Sequence, residues 1–453
     1  MKKMTLLERN PQSRTLITLF ALTLTLAGCG SVDGGNGGNG GNNNGNGGGE
    51  IDDIRSSKDR ISNPKVSSSK VEKLTKDNAD FAFELYGELA KKKSGENFFY
   101  SPHSISSALA MTYAGAEGTS ESQMKKALHF AMKEKELHHA FNKLDLLLEK
   151  RASQTGQEEE GSPFKLNIAN SIWGQKNYPF KTPFLDTLAK NYGAGLKAVD
   201  FEEKPEPARK AINEWVEKKT ENKIKDLLPK GSINNLTRLV LTNAIYFKAS
   251  WAHKFDKNAT KKAQFTTGGG KKVSVDMMSL KEQHGLSYAK GSTWQAVELP
   301  YVGNKVSMVV LVPNSGEFAN VEKKLSGSWI KTLFGNLGGK AVELQMPKFD
   351  FKTKFSVKKM LQTLGMKAPF SAGEADLSDI ADAEQLFIND VIHQSFVAVD
   401  EKGTEAAAAT AVTVGTTSVP KFVNLTVDRP FIFMIRDRET DAVIFTGRVL
   451  DPS

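Results

Sequence analysis

The spacing of apolar residues predicts helices in the first half of the chain, from about residue 70 onward. One amphipathic helical face is formed by four apolar side chains, Ala82, Leu85, Tyr86 and Leu89. The helix that carries them should end near Ser94-Gly95, because glycine favours a helix C-terminus. Ser120 and Gln123 have the spacing of a capping box and predict the start of another helix, which runs to Leu128.

The second half of the chain has the patterns of strands, which are apolar and β-branched runs bounded by turn residues. The predicted strands are Leu241–Phe247, Lys305–Val312, Val342–Phe349, Phe431–Ile435 and Ala442–Leu450. Helices followed by strands favour an α+β fold over alternating β/α units. Since no second linker or internal repeat follows Lys70, residues 70–453 are predicted to form one large domain.

The N-terminus is predicted to be an export signal and not part of the fold. Basic residues precede a mostly apolar stretch over residues 15–27, which is too short and too rich in threonine for a permanent membrane helix. The stretch ends in Leu26-Ala27-Gly28-Cys29, which resembles a bacterial lipobox. We therefore expect residues 1–28 to be a lipoprotein signal peptide and Cys29 to carry the lipid. The alternative is an ordinary signal peptide followed by an incidental cysteine.

A flexible linker is expected to follow, over residues 29–69. Between Gly30 and Gly49, 17 of 20 residues are Gly or Asn, so this segment has no side chains with which to build a core. As a random coil it would span on the order of 25 Å. Residues 50–69 are polar and are assigned to the same linker.

Composition and charge narrow the possible functions. The formal net charge of +9 is spread along the chain, so nucleic acid is not an expected partner. The single cysteine excludes intramolecular disulfides and cysteine-based zinc clusters. No H-E-x-x-H, G-x-S-x-G or Walker A motif is present, so no metal or organic cofactor is predicted and a hydrolase is only a minor alternative. His138 and His139 lie in a strongly charged helical pattern, which favours a solvent-exposed face.

The most unusual segment covers residues 400–419. Asp400-Glu401-Lys402-Gly403-Thr404-Glu405 precedes four consecutive alanines at 406–409, and a run of small and β-branched residues follows to Val419. Alanine favours a helix, whereas the preceding glycine and the following β-branched residues favour extended structure. From composition alone, a short surface helix and a plain strand are both open.

This segment resembles the reactive-centre loop of the serpins, a family of serine protease inhibitors. Other stretches match the family in the same order and at similar spacing. They are Asn97–Ser106 (NFFYSPHSIS), Thr242–Lys248 with Trp251, Leu364–Met366 with Ala375–Ser378, and Leu425–Ile435 with its Asp428-Arg429-Pro430-Phe431. The resemblance covers nearly all of residues 70–453. It implies the serpin fold, in which helices pack around large mixed β-sheets and the reactive-centre loop is exposed.

The resemblance implies an inhibitor that is consumed in the reaction, not an enzyme with catalytic residues of its own. A target protease cleaves the loop and forms an acyl-enzyme, and the loop then enters the main sheet as a new strand. The hinge of the loop would comprise Glu401, Gly403, Thr404, Glu405, Ala406, Ala407, Ala408 and Ala409. At a period of two, one uncharged face is shared by Thr404, Ala406, Ala408, Thr410 and Val412. Glu405 would lie on the opposite, solvated face.

The spacing of the family, counted from Glu401, places the cleaved bond between Thr417 and Ser418. Because the stretch from this bond to Pro430 is slightly longer than in some members, Thr416 is an alternative position. A small β-branched residue suits the shallow apolar pocket of an elastase- or subtilisin-like protease better than the pocket of a trypsin-like protease. The expected partner is therefore such a serine protease, with a cysteine protease as the alternative, in a covalent acyl complex.

Five further positions follow from the resemblance. The polar cluster beneath the centre of the main sheet, called the shutter, is matched by Ser101, Ser104, Asn243 and His393. Trp251 matches the aromatic residue at the breach, where insertion starts. Taken alone, His393 would be interpreted as a core histidine. Its position eight residues before Glu401 favours the shutter.

Two functions of such a protein are left open. The first is an inhibitory serpin on a bacterial envelope, a monomer that meets the membrane only through its lipid, at the outer membrane or cell surface. The second is a non-inhibitory serpin whose loop never inserts and which acts as a surface binding or display module. A bulky or charged residue at Thr404 or among the alanines would favour the second, and the sequence has none there.

Overall fold

The computed structural model describes residues 50–154, 165–281, 285–382, 386–404 and 422–453. Its helices are α1 (Ser68–Lys92), α2 (Pro102–Tyr113), α3 (Gly118–Ala127), α4 (Glu134–Gln154), α5 (Thr182–Tyr192), α6 (Pro205–Lys219), α7 (Phe318–Glu322), α8 (Gly327–Asn336) and α9 (Lys358–Thr363). Helices α1 to α6 all precede residue 220, as the apolar spacing predicted. Within the described ranges, no helix is both long enough and apolar enough to cross a membrane.

The strands form two sheets. The first strands along the chain are β1 (Asp52–Ile54), β2 (Phe98–Tyr100), β3 (Lys165–Gln175), β4 (Leu196–Val199), β5 (Leu239–Ser250), β6 (Lys261–Thr266), β7 (Lys272–Leu280), β8 (Gly285–Lys290) and β9 (Trp294–Pro300). They are followed by β10 (Val306–Pro313), β11 (Gly338–Pro347), β12 (Phe349–Ser356), β13 (Asp390–Asp400), β14 (Gly403–Thr404), β15 (Val423–Thr426), β16 (Phe431–Asp437) and β17 (Val443–Val449).

The strand order shows how the two halves of the chain combine. The first sheet has the order β1-β4-β3-β5-β14-β13-β12, and the second has the order β2-β17-β16-β10-β9-β8-β11-β7-β6, with β15 paired to β11. One continuous hydrophobic cluster joins α1 and α2 to residues of both sheets. A second cluster lies where α6 covers one face of the first sheet. The predicted α+β class is confirmed.

The predicted strands are confirmed, with shifts in their ends. Leu241–Phe247 lies within the longer β5. The predicted strands Lys305–Val312, Phe431–Ile435 and Ala442–Leu450 correspond to β10, β16 and β17. The predicted strand Val342–Phe349 is instead divided between β11 and β12, because the chain leaves one sheet and enters the other at Lys348. An apolar run alone does not show such a change of sheet.

The predicted capping box at Ser120 does not form. Helix α3 begins at Gly118, and the Ser120 hydroxyl oxygen instead accepts a 2.9 Å hydrogen bond from the Asp376 amide. The Gln123 side-chain oxygen accepts 2.7 Å hydrogen bonds from the amides at 367 and 368. Both side chains therefore accept hydrogen bonds from backbone amides of a distant loop and not from the first turn of their own helix.

The folded domain begins before the predicted boundary at Lys70. Strand β1 pairs antiparallel with β4 at the edge of the first sheet. The Ile61 amide donates to the Lys190 carbonyl at 2.9 Å, and the Asn142 side-chain amide donates to the Ile61 carbonyl at 2.8 Å. The assignment of residues 52–54 and Ile61 to a flexible linker is therefore wrong, because their backbone groups are paired with the domain.

His138 is buried, which the charged pattern of α4 did not predict. Its side chain is 1 % exposed, and its Nδ1 lies 2.7 Å from the Tyr192 hydroxyl of α5. The neighbouring His139 is half-buried, and burial lowers its pKa. The predicted exposed face is thus wrong for His138, because α5 packs over that side of α4. In the described part of the chain, no group of three or more His, Cys, Asp or Glu residues is placed to hold a metal.

Candidate functional site

The first sheet changes its strand pairing at its centre, between β5 and β13. These strands are parallel neighbours from Asp390 opposite Val240 to Phe396 opposite Tyr246, a stretch that we call the seam. Beyond the seam they separate, and the two residues of β14 lie between them, antiparallel to both. A new strand has therefore begun to form at the end of the seam.

The close fit of β14 explains its glycine. A Cβ atom on Gly403 would collide with the Ala249 carbonyl oxygen, so a larger residue does not fit without displacing β5. Thr404 lies between Ala249 and Val399 and is 1 % exposed. Its Oγ1 is 2.8 Å from the Tyr301 hydroxyl. The structure therefore places the Thr404 side chain on the buried face of the sheet.

Glu401 precedes β14 and is held by two side chains. Its Oε1 is 2.6 Å from Lys348 Nζ and accepts a 2.7 Å hydrogen bond from Thr260 Oγ1. Burial alone would raise the pKa of Glu401, but the hydrogen bonds from Lys348 and Thr260 outweigh this and hold the pKa below its ordinary value. The carboxylate is therefore charged at neutral pH and fixes the chain just before β14.

Trp251 covers the place where β14 enters the sheet. Its side chain is 1 % exposed, and its indole N–H donates to the Asp400 carbonyl at 3.0 Å. The ring stacks on Tyr301, with centroids 4.6 Å apart and 8° between the planes. The Trp251 backbone amide also donates to the Lys402 carbonyl at 2.9 Å. Trp251 thus holds the segment that leads into β14 through both its backbone and its side chain.

A polar network crosses the seam farther from β14. His393 and Asn243 are opposite residues of β13 and β5, and the His393 ring is hydrogen-bonded to the Asn243 side-chain oxygen. The Asn243 amide donates to Ser104 Oγ at 2.8 Å and to the Asn170 side-chain oxygen at 2.6 Å. The Ser101 backbone amide lies 3.4 Å from His393 Nε2. The four residues assigned to the shutter are all buried and meet across the two strands of the seam.

His393 is a neutral histidine in this network. Burial lowers its pKa to about 3. A neutral imidazole donates from one ring nitrogen and accepts at the other. Its neighbours match this state, because Nδ1 faces the Asn243 side-chain oxygen and Nε2 faces the Ser101 amide. We therefore assign the proton to Nδ1.

The depressed pKa of His393 predicts a loss of stability in acid. Unfolding exposes the ring and restores an ordinary pKa of about 6.5, so the unfolded chain binds a proton that the native chain does not. The stabilisation is complete above the unfolded-state pKa of about 6.5 and is lost as the pH falls towards the native-state pKa of about 3. Between about pH 7.5 and about pH 5 the native state should lose about 2 kcal/mol through this group.

Urea unfolding of the wild type and of His393→Gln at both pH values measures this contribution. When the pH is lowered from about 7.5 to about 5, the free energy of unfolding should fall in both proteins. The fall should be about 2 kcal/mol smaller in the variant than in the wild type. Groups such as His139 titrate in both proteins and cancel in the comparison. Equal losses in the two proteins would contradict a neutral His393 in the native sheet.

Four residues of the site were not identified from the sequence. They are Asn170, Thr260, Tyr301 and Lys348. The sequence shows Asn170 only as a polar residue near apolar ones, and the structure places it opposite Asn243. The other three belong to no motif. Thr260 and Lys348 lie where the chain passes between the two sheets, and Tyr301 lies between β9 and β10 of the second sheet. Only the fold brings them to Glu401 and Thr404.

The remaining predicted positions lie outside the described residues. They are Cys29, Glu405, Ala406, Ala407, Ala408, Ala409, Thr417 and Ser418. The chain leaves the first sheet at Thr404, and β15 pairs parallel with β11 of the second sheet. The predicted loop therefore connects the two sheets.

Comparison with known proteins agrees with this geometry. A family model described as Serpin (serine protease inhibitor) matches residues 76–452. The leukocyte elastase inhibitor of Equus caballus is 39% identical over 391 residues, which cover 84% of this chain and 100% of that protein. A serpin-like protein of Thermococcus kodakarensis is 39% identical over 377 residues, which cover 82% of this chain and 84% of that protein.

Solved structures are similar over most of the chain. The thermophilic serpin tengpin in its native state has a TM-score of 0.75 at 30% identity, with 89% of this chain and 100% of that chain covered. Uncleaved ovalbumin has a TM-score of 0.73 at 26% identity, with 84% and 100% covered. The two sheets and their helices thus have the arrangement seen in these structures.

Proposed function

This chain belongs to the serpin family of serine protease inhibitors, and we propose that it traps its target protease as a suicide substrate. The observation that supports this most directly is β14, which lies between two strands that are otherwise direct neighbours. The first residues of the loop are therefore already aligned antiparallel to both strands, as an inserting strand requires. A loop that served only for display would not need this place in the sheet.

In the proposed reaction, the serine Oγ of the protease attacks the carbonyl carbon of Thr417. The peptide bond between Thr417 and Ser418 breaks, an ester joins Thr417 to the protease, and the Ser418 amino group leaves with the proton that the serine gave up. The C-terminal part stays in the second sheet through β15. The N-terminal part can then extend β14 along the seam and carry the protease with it before water hydrolyses the ester.

The register of β14 supports insertion along the seam. Counted from the pairing of Thr404 with both neighbouring strands, Thr410 would stand between Asn243 and His393. A threonine hydroxyl both donates and accepts, so it can replace the hydrogen bond that insertion breaks between these two side chains. The residues that share the buried face between Thr404 and Thr410 are alanines, which are small enough to pass between strands.

We propose an elastase- or subtilisin-like protease as the target. Thr417 and the residues before it are small, and they fit a shallow apolar pocket. Relatives of this chain in horse and human are named leukocyte elastase inhibitors, which supports the same class of target.

The proposal is tested by incubation with elastase, subtilisin and trypsin, followed by denaturing gels and intact mass measurement. We expect a complex that resists denaturant with elastase or subtilisin, together with a peptide that begins at Ser418 and that the denaturant sets free from the second sheet. Trypsin should form no complex at this bond. Cleavage at the loop without any complex would contradict the suicide mechanism and favour a non-inhibitory serpin that acts as a surface binding module.

We further propose that Cys29 is lipidated and tethers a monomeric inhibitor to a bacterial outer membrane or cell surface. The support is the lipobox-like sequence before Cys29 and the Gly- and Asn-rich segment after it. Cys29→Ala should abolish labelling by a fatty-acid probe and release the protein from the membrane fraction. Equal labelling of wild type and variant would refute the anchor and leave the proposal of protease inhibition untouched.

A further inference from the structure

The segment between α6 and β5 lies across the seam. We call this segment, residues 220–238, the connector. Its residues Ile224 and Leu228 are buried in one hydrophobic cluster with Ala244 of β5 and Ile392 of β13. The connector therefore packs against both of the strands that loop insertion must separate.

One side chain of the connector faces two aromatic rings across the seam. The Lys223 Nζ is 5.7 Å from the centroid of the Tyr246 ring and 5.7 Å from that of the Phe396 ring. Both distances are within the range of cation–π attraction. Tyr246 of β5 and Phe396 of β13 are opposite residues and form the last pair of the seam before β14. A single ammonium group thus bridges the two strands close to the point where insertion would begin.

We infer that Lys223 is a clasp on the sheet, whose ammonium group holds the two strands of the seam together and limits the rate at which the cleaved loop enters. The inference rests on the proposed function, because the clasp matters only if the seam opens. Lys223 is a positioning residue in this reaction, since it acts through the two rings and not on the cleaved bond.

Insertion would place a new strand between Tyr246 and Phe396. Neighbouring strands are ~4.8 Å apart, so the two rings would move apart by about that distance. The register of β14, continued along the seam, would put Ala407 between them. One ammonium group cannot stay close to both rings once they have moved apart. The connector that carries it is held to α6 by Asn213, which bonds the Leu228 amide and carbonyl at 2.7 and 2.9 Å. At least one ring must therefore be released before the strand passes.

The size of this effect sets the expected change in rate. A cation–π contact at a partly exposed site is strong enough to change a rate about two- to fivefold. Lys223→Met keeps a long unbranched side chain but removes the charge, so the seam should open about threefold faster. Lys223→Arg keeps a cation over the rings, so the seam of this variant should open at the wild-type rate.

Uptake of a synthetic peptide with the sequence of residues 404–415 measures the opening of the seam without a protease. Uptake requires only that β5 and β13 separate. The intact protein is incubated with excess peptide, and uptake is followed by native gels and native mass measurement. Lys223→Met should take up the peptide about threefold faster than the wild type. The matched control is Lys352→Met, because Lys352 lies 5.8 Å from the same Phe396 ring but belongs to β12 and does not bridge the seam. This control should match the wild type.

An unchanged uptake rate in Lys223→Met, or an equal acceleration in Lys352→Met, would overturn the clasp. A second measurement uses unfolding of the intact protein. Lys223→Met and Phe396→Leu should have non-additive effects on the free energy of unfolding, because each removes the same contact. Additive effects would also overturn the clasp. If the wild type neither takes up peptide nor traps any protease, the proposed function fails, and this coupling still decides whether Lys223 bridges the strands.

Discussion

Thr404→Arg should turn the protein from an inhibitor into a substrate of its target protease. Thr404 is 1 % exposed and already lies between two strands in the intact protein, so an arginine at this position should displace β14 from the sheet. Insertion of the cleaved loop would then have to bring the cation beneath the sheet. Desolvation of that cation costs several kcal/mol. Inhibition is a race between insertion and hydrolysis, and each ~1.4 kcal/mol added to the insertion barrier diverts about tenfold more acyl-enzyme to hydrolysis. The bond after Thr417 lies 13 residues away and should still be cut.

Denaturing gels over a series of protease ratios measure both outcomes, the covalent complex and the cleaved product. Thr404→Arg should be cut at the same bond as the wild type, with the complex lost. Thr404→Ser keeps a hydroxyl group for Tyr301 and should inhibit normally. Glu405→Arg places the same cation on the predicted solvated face and should also inhibit. If Thr404→Arg traps protease at the wild-type stoichiometry, inhibition does not depend on loop insertion.

The sequence predicts strands well where burial alone decides the conformation. Strand β10 is buried along its whole length, so its apolar pattern needs no knowledge of its neighbours. Strands β1 and β14 have no such pattern and were not predicted. Each becomes a strand because an unpaired edge lies beside it, at β4 for β1 and between β5 and β13 for β14. The partner β4 of β1 and the partner β5 of β14 are distant in the sequence, so they leave no trace in local composition.

The same distinction applies to the candidate site. His393 and Asn243 could be assigned through the family resemblance, and the structure places them opposite each other. Lys348 could not, because it contacts Glu401 only after both sheets have formed. Ser120 shows the converse, since its capping-box spacing is local but its hydrogen bond is made to residue 376. Local patterns thus indicate which side chains are polar and buried, whereas the fold decides which groups they contact.

Cleavage of the loop should raise the melting temperature by on the order of 20 °C. In the intact protein, β5 and β13 share one parallel ladder along the seam. Insertion replaces it with two antiparallel ladders and buries the uncharged face that begins at Thr404. Each added hydrogen bond nets only ~1 kcal/mol. Summed over a long strand, this gain is comparable with the entire stability of an ordinary domain, about 5–15 kcal/mol.

Thermal unfolding of intact protein and of protein cleaved in the loop by a non-target protease tests this expectation. Cleaved Thr404→Arg is the informative control, because its loop is cut but its insertion is obstructed. The melting temperature of this cleaved variant should be close to that of the intact protein, whereas that of the cleaved wild type should be far higher. Such a result would show that the gain in stability comes from insertion and not from relief of a strained loop. If intact and cleaved wild type melt at similar temperatures, the seam does not admit the loop. In that case the loop stays outside the sheet after cleavage, and the protein is a non-inhibitory member of its family.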